Sequence, residues 1–312
     1  MSNEQEIKTG LIMLRFGLCC IFKEQPIKFR QTTAKTLHKL SRQDQLDKLS
    51  QICLVNTQSV KQALQYAVDN GIGAFRILTP LFPRYTHPEV GYRLDDLPAA
   101  EAIKAECAEI KIFREEKDIR LSFHPDQFNV LSSPRQEVVK KTVTELEYQG
   151  RVAELVGAEI INVHTGGSYG NKQEALERMK KSFQLLSATV RSRLTLENDD
   201  ISYTPANLLP VCEELNIPFV YDIHHHRCLQ DTINEQEATE RCVNLWQKLG
   251  REPYFHISSP RNGWQQGNPR PHADYIDPRD FPPFWLRLNA TIDIEAKDKE
   301  LAVIRLKQDL GL

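Results

Sequence analysis

The stretch PFVYDIHHHRC (residues 218–228) places Asp222 and three consecutive histidines directly after the apolar run Pro218-Phe219-Val220. A short apolar run that ends in acid and imidazole groups reads as a buried strand opening onto a rim where chemistry can occur. Histidine is scarce in this chain, nine in 312 residues. Whether the run is a surface accident or part of a site therefore depends on where the other six histidines fall.

Working outward from this segment, the same pattern recurs. Short β-type runs are predicted at Leu11–Cys20, Ala74–Thr79, Ile119–His124, Glu159–His164, Arg193–Glu197, Pro218–Asp222, Pro253–Ser258 and Thr291–Glu295. Between them lie helical patterns. Val139, Val143, Leu146, Gly150 and Ala153 keep a three-four spacing, and Leu176, Met179, Phe183, Leu186 and Val190 do the same. Ser133-Pro134 supplies a helix start and Gly157 a stop. Further helices are predicted over Pro205–Leu215, Asn234–Leu249 and Lys299–Leu310. Eight strands with helices between them predict a closed (β/α)8 TIM barrel, one domain over residues 11–312 behind a polar N-terminal extension, residues 1–10. A doubly wound open sheet would carry a glycine-rich nucleotide loop after its first strand, and GLCCIFKEQP (17–26) has none.

Composition sets bounds. The chain is 40% hydrophobic and 26% charged, ordinary for a soluble globular protein. No apolar stretch approaches the ~20 residues of a membrane span, and the polar start MSNEQEIKTG lacks a signal-peptide core. Seven cysteines, an odd number without a Cys-x-x-Cys pair, are expected to be reduced in a cytoplasmic protein. A net charge of −2 argues against blanket attraction to nucleic acid but leaves room for a local patch. Between Lys23 and Arg42 stand six basic residues (Lys23, Lys28, Arg30, Lys35, Lys39, Arg42) against Glu24 alone.

In a (β/α)8 barrel the strand C-termini form the active face. Here the third strand ends at His124, the fourth at His164, the fifth at Glu197, the sixth at Asp222 and the eighth at Glu295, and the seventh carries His256. His38, His87 and His272 fall in loops on the same rim. One such histidine is ordinarily structural. Six consecutive strands ending in His, Asp or Glu are different, because crowded acids repel and resist ionising unless a cation joins them. Imidazole and carboxylate without thiolate suit Zn2+, Mn2+ or Fe2+, and the donors exceed what one ion needs, so a multinuclear centre of the kind that hydrolyses phosphoesters is expected. Asp222 and His225, three apart, are expected to turn together to the mouth, with His224 and His226 pointing elsewhere.

FHPDQF (123–128), VHTGG (163–167), LENDD (196–200), YDIHHH (221–226), FHISS (255–259), PHADYI (271–276) and IEAKDKE (294–300) occur in an order that resembles the ultraviolet-damage endonuclease family, over about Leu11 to Glu300. The resemblance implies a barrel related to the abasic-site endonucleases and a centre of two or three divalent ions, Mn2+ first and Zn2+ as the alternative. It implies incision of double-stranded DNA immediately 5′ to pyrimidine dimers and 6-4 photoproducts, with abasic sites also accepted. It assigns the metal ligands His124, His164, Glu197, Asp222, His225, His256, His272 and Glu295, with Glu197 bridging. It places Lys297 beside the metals and His87, in LFPRYTHP, near the scissile phosphate. Gln127 and Phe128 match a pair that pushes into the duplex opposite the lesion, where the family usually has Gln-Tyr.

Two positions depart from the family. Leu18 stands where many members have tyrosine, which is expected to alter the lesion pocket. Tyr254 stands where many carry a modified lysine, so that Tyr254, Asp274 or water would complete a third metal site. The loop carrying Lys23, Lys28, Arg30 and Lys35 follows the first strand on the catalytic face and becomes a candidate phosphate contact. Trp264, between Arg261 and Arg270, either stacks on DNA or packs on the barrel rim. Two competing readings are a sugar isomerase or epimerase on a related barrel and a lesion-binding protein without turnover. The expected state is a monomer, cytoplasmic and associated with the nucleoid when acting on DNA, with no membrane partner.

Overall fold

The computed structural model describes residues 13–312; the N-terminal extension and the first two residues of the predicted first strand lie outside the described residues. Eight parallel strands close in chain order into a barrel: β1 (Leu14–Cys19), β2 (Ala74–Ile77), β3 (Arg120–Phe123), β4 (Ile160–His164), β5 (Leu194–Glu197), β6 (Phe219–Asp222), β7 (Tyr254–Ile257) and β8 (Ala290–Ile294). β1 pairs with both β2 and β8, which closes the ring. The TIM barrel read from the strand pattern is the fold observed.

Around the barrel, α1 (Ala34–Leu37) and α2 (Arg42–Asp69) follow β1, α3 (Ala100–Glu116) follows β2 and α4 (Gln136–Val156) follows β3. α5 (Lys172–Phe183) and α6 (Ala188–Arg191) follow β4, and α7 (Pro205–Leu215) follows β5. α8 (Ile223–Cys228) and α9 (Glu235–Lys248) follow β6, and α10 (Lys299–Leu310) closes the chain. The helical pattern predicted across Leu176–Val190 is two helices. Ser187 caps the second by accepting from the Val190 N–H, and Leu186 and Val190 remain buried across the break. α4 starts two residues beyond the predicted Ser133-Pro134 and stops at Gly157, whose φ of +73° gives the left-handed cap. Among the described residues the β7–β8 connection holds no α-helix, only 3-10 turns at Pro278–Asp280 and Pro283–Arg287. Proline removes donors that a longer helix would need. Trp285 fills that place, fully buried, with its ring 4.9 Å from Phe255 and its indole N–H donated to Thr239 Oγ1 at 3.0 Å.

Alternation along the strands gives each a side facing the helices and a side facing the lumen. On β1, Phe16 and Leu18 join the apolar core between barrel and helices. Gly17 lies on the lumen side, where an added Cβ would stand 1.9 Å from Asp293 Oδ1. Leu18 therefore does not line the mouth. The position that does is Cys19, buried and within the field of Arg76, Asp293 and Glu295. The lumen is polar over much of its length. Near the bottom, Arg120 donates to Thr291 Oγ1 at 3.0 Å; above it, the Tyr254 hydroxyl donates to Asp293 Oδ1 at 2.8 Å and accepts from Ser122 Oγ at 3.2 Å. This column supports the groups at the mouth.

Candidate metal centre and nucleic-acid interface

Glu197, fully buried at the end of β5, is the hub. Its Oε2 lies 3.0 Å from His124 Nε2 and 3.8 Å from His164 Nε2. Its Oε1 lies 3.0 Å from His256 Nδ1 and 3.5 Å from His225 Nδ1. The carboxylate is aimed from below: Asn162 Nδ2 donates to Oε2, and Thr195 Oγ1 fixes Asn162 by donating to its carbonyl oxygen at 2.8 Å.

The histidine run resolves once α8 is seen. The strand passes directly into a helix rather than a loop, with Asp222 as its N-cap: Oδ1 accepts the His225 N–H at 2.8 Å. A cap and its third helical residue share a face, so Asp222 and His225 meet at the mouth while their neighbours turn away. His226 Nδ1 lies 2.7 Å from the Tyr221 hydroxyl, and its Nε2 faces Asp231. His224 is buried against Trp264 and His272, with Nε2 at 3.2 Å from Arg270 O. Both are packing residues, as the spacing predicts.

Donor atoms converge in three groups, each within 4.8 Å: His124, His164 and Glu197; Glu197, Asp222 and His225; and His124, His256 and Glu295. Two further observations fit divalent cations. Asp222 Oδ2 and His164 Nδ1 are buried without a hydrogen-bond partner, which is costly unless a ligand satisfies them. The protonation pattern also suits ions. Burial alone would raise the Glu197 carboxyl, but His256 and His164, then hydrogen bonds from His124 and His225, hold it well below the usual range. Burial likewise opposes ionisation of Glu295, and Arg76 and His256 overcome it. His164 is lowered, chiefly by burial, and so is a neutral donor at neutral pH.

The remaining residues singled out in the sequence take varied places. His272 lies at the edge, Nδ1 3.2 Å from Ser258 Oγ and 3.8 Å from Glu295 Oε2, outside the three tight groups. Lys297 is half-buried, and its backbone N–H donates to Ala273 O, tying the end of β8 to the His272 loop. His87 accepts the N–H groups of Glu89 and Val90 on Nδ1, and its ring lies 6.3 Å from that of His38. Asp274 is exposed. Tyr254 is not free to act as a ligand: its hydroxyl is committed to Asp293, and burial together with that charge pushes the phenol well above its usual range. Trp264 is half-buried on the rim, its indole N–H donated to Asp280 Oδ1 at 2.8 Å and Arg227 over its ring.

Phe128 is 78% exposed at the tip of a turn that Asp126 Oδ1 holds by accepting its N–H, and Gln127 is exposed beside it. Lys28, Arg30 and Lys35 are exposed as well, whereas Lys23 Nζ pairs with Asp298 at 2.6 Å. The loop they share is built in: Asn56 accepts the Arg30 N–H at 2.7 Å, and Ser59 donates to Lys28 O at 2.8 Å. Sequence reasoning missed two more exposed apolar side chains on this face, Tyr169 after β4 and Ile201 after β5. It also missed Arg76, whose guanidinium lies among the acids. Its only sequence signal is a cation inside the apolar run AFRI on β2.

Comparison with known proteins gives this geometry its setting. The family model for the UV-endonuclease UvdE matches residues 14–312. The chain belongs to that family. It is 33% identical over 313 residues to a UV DNA damage endonuclease of Bacillus velezensis, covering 96% of this chain and 95% of that one. A UV DNA damage endonuclease of Bacillus thuringiensis is 33% identical over 287 residues, 89% of this chain and 88% of the relative. Among solved structures, SacUVDE superposes with a TM-score of 0.84 at 27% identity over 96% of this chain and 98% of that one. Endonuclease IV from Thermus thermophilus shares the fold at a TM-score of 0.60 and 18% identity, covering 95% of this chain and 99% of the other. The same barrel recurs in a D-psicose 3-epimerase of Clostridium cellulolyticum H10 at a TM-score of 0.55 and 12% identity, with 95% and 97% covered. That is a likeness of fold alone, and family membership separates this chain from the sugar enzymes.

Proposed function

We propose that the chain is a divalent-metal-dependent repair endonuclease that incises double-stranded DNA immediately 5′ to ultraviolet photoproducts, pyrimidine dimers and 6-4 photoproducts, and also at abasic sites. The observation that carries this reading is Glu197, whose two oxygens face two separate sets of histidines at an open barrel mouth beside the exposed Phe128. His124, His164, Glu197, Asp222, His225, His256, His272 and Glu295 supply the donors for ions, Mn2+ first and Zn2+ as the alternative. Bound there, such ions activate water and neutralise charge on the phosphate under attack. Glu197 would be the ligand common to the ions, and Asn162 donates to its Oε2 and fixes its plane. Lys297 would stand beside the ions, and His87 near the scissile phosphate.

Selectivity follows from unstacking. A distorted dimer costs less to extrude than a normal pair. Gln127 and Phe128 occupy the gap opposite, with Phe128 stacking on the bases left behind. Lys23, Lys28, Arg30 and Lys35 hold the backbone, and Trp264 shapes the far rim. The enzyme acts as a monomer on the nucleoid in the cytoplasm, because the catalytic face must admit a long duplex. Among the described residues no helix is long and apolar enough to cross a membrane.

The test is incision of an end-labelled duplex carrying one pyrimidine dimer, with Mn2+, comparing wild type and Glu197→Gln. A cut 5′ to the dimer by wild type alone supports the reading. Cleavage of only an abasic duplex removes the photoproduct part. Binding without cleavage of any duplex turns the reading to a silent lesion-binding protein.

A further inference from the structure

The chain has 13 phenylalanines, nine tyrosines and three tryptophans, and among the described residues only two of these rings are exposed. One is Phe128, in the loop after β3. The other is Tyr169, 48% exposed, in the loop after β4, the adjoining strand of the barrel. The two loops are tied together. Ser132 Oγ, beyond Phe128 in its loop, donates to Thr165 O at 2.7 Å, and Arg178 Nε donates to Ser132 O at 2.9 Å. Val130 packs so closely on Gly166 that an added Cβ there would stand 2.3 Å from its Cγ1. Tyr169 is also braced by its own loop. Its ring lies against Gly167, 3.8 Å from where a Cβ would stand, with the Arg178 guanidinium 5.7 Å from the ring centre. The hydroxyl of the buried Tyr203 donates to Gly167 O at 3.3 Å. The backbone of Tyr169 has a φ of +50°, a left-handed conformation that is unfavourable for a bulky residue. Such strain persists only where the surroundings impose it, and it gathers at positions that contact ligands. A ring presented to solvent on a fixed, strained turn is not explained by packing.

A two-base lesion supplies an explanation. A pyrimidine dimer joins neighbouring bases, so extruding it leaves two bases of the other strand without partners, and Phe128 offers one ring. We infer that Tyr169 is a second stacking residue: it takes one of the two orphaned bases while Phe128 takes the other, and the pair of rings makes this face selective for lesions of two bases. The inference deepens the nuclease reading and rests on it. Stacking suits the role, because every base has a π-face and the ring accepts whatever sequence lies opposite the lesion. Arg178 adds a permanent positive charge beside the ring, which favours the phosphates of the strand that carries the stacked base. The bracing through Ser132 also finds a reason, since two rings serve two neighbouring bases only if their separation is fixed.

The test compares two duplexes, each with one pyrimidine dimer, in the presence of Mn2+. In the first the two opposing nucleotides are intact, and incision of the end-labelled dimer strand is followed. In the second both opposing nucleotides are abasic spacers, which leave nothing to stack. The second duplex is added unlabelled as a competitor, so that its affinity is read whether or not it is cut. Tyr169→Asn removes the ring with a side chain that tolerates the left-handed backbone, and Tyr169→Phe keeps the ring. On the intact duplex Tyr169→Asn is expected to raise KM about tenfold with kcat little changed, and Tyr169→Phe to match wild type. The spacer duplex is expected to compete equally well against all three proteins. A Tyr169→Asn protein that equals wild type on the intact duplex overturns the inference. So does an equal loss on both duplexes, which would place the contact of Tyr169 away from the orphaned bases or its effect in the fold of the loop. A wild type that cuts neither duplex removes the nuclease reading and the inference with it, whereas a wild type that cuts the first and is matched by Tyr169→Asn removes the inference alone.

Discussion

The carboxylate of Glu300, fully buried in the first turn of α10, accepts the backbone N–H of Lys23 at 2.7 Å and so joins the last helix to the loop after the first strand. Glu24 and Gln25 donate to the same carboxylate at 2.7 and 3.3 Å. The start of the loop that carries the exposed Lys28, Arg30 and Lys35 is thereby fixed by one acid, while Asn56 and Ser59 hold it further along. Glu300→Ala would leave three N–H groups without their acceptor, at about 1–3 kcal/mol for each one left buried. The expected result is a Tm lowered by several degrees and duplex binding weakened, with the metal content unchanged. Glu300→Gln, which keeps one oxygen, should fall between. Duplex affinity equal to wild type in a folded Glu300→Ala protein would show that the loop does not need this anchor.

Gly17 is required by a neighbour and not by its own backbone. An added Cβ would stand 1.9 Å from Asp293 Oδ1 and 3.3 Å from the Ala74 side chain. Asp293 cannot retreat, since Tyr254 and Arg76 hold both its oxygens. Gly17→Ala is therefore expected to cost about 1–3 kcal/mol as overpacking, more if the buried ion pair opens. Thermal unfolding of the variant beside Cys19→Ala, whose change only removes an atom, checks this. Equal Tm values for the two would mean that the lumen yields easily at this layer.

The barrel was legible because its strands are short, apolar and regularly followed by His, Asp or Glu, a signal set by period and position. The pairing of Asp222 with His225 was legible for the same reason, although no helix was read where Asp222 caps one. α2 was harder to read. It buries Gln45, Asn56, Thr57 and Ser59, which blurs the apolar stripe, because Gln45, Asn56 and Ser59 hold neighbouring segments and Thr57 bonds back to its own helix. Arg76 was invisible, since its meaning depends on Asp293 and Glu295, more than two hundred residues away and brought beside it only by closure of the ring. The role expected of Leu18 failed for a one-residue reason: strand alternation sends it into the core and turns Cys19 to the lumen.

Phe128 should separate binding from folding. Its ring is 78% exposed and held only through its backbone, so its removal costs little stability. Stacking of one base on an aromatic ring is worth about 1–3 kcal/mol, and each 1.4 kcal/mol is about tenfold in affinity. Phe128→Ala is expected to keep the wild-type Tm and to weaken binding of a dimer-containing duplex by about tenfold, with a smaller effect on undamaged DNA. Lys28→Ala and Arg30→Ala should instead weaken both duplexes alike and reduce the slope of log affinity against log salt by about 0.9 for each phosphate no longer neutralised. Salt slopes that match wild type would place this loop off the DNA.

His225 makes metal binding a competition with protons. Burial alone would lower its pKa, but Asp222 and Glu197 outweigh it and raise the imidazole well above the usual value. Without an ion the ring therefore carries two protons at neutral pH, and one must leave before a nitrogen can donate to a metal. Below the raised pKa, affinity should fall by about tenfold per pH unit for this one proton; above it, affinity should level off. The carboxylates do not add to this slope, since Glu197 and Glu295 are held ionised far below the window. Calorimetric titration of the chelator-stripped protein with Mn2+ at several pH values, in buffers of different ionisation enthalpy, reads both the affinity and the protons released. Release of at least one proton at neutral pH is the expected result, since His256 is raised as well, by Glu197 against its burial. His225→Asn should reduce the release and flatten the dependence, whereas a wild-type affinity that does not change with pH would mean that the ring is neutral before the ion arrives.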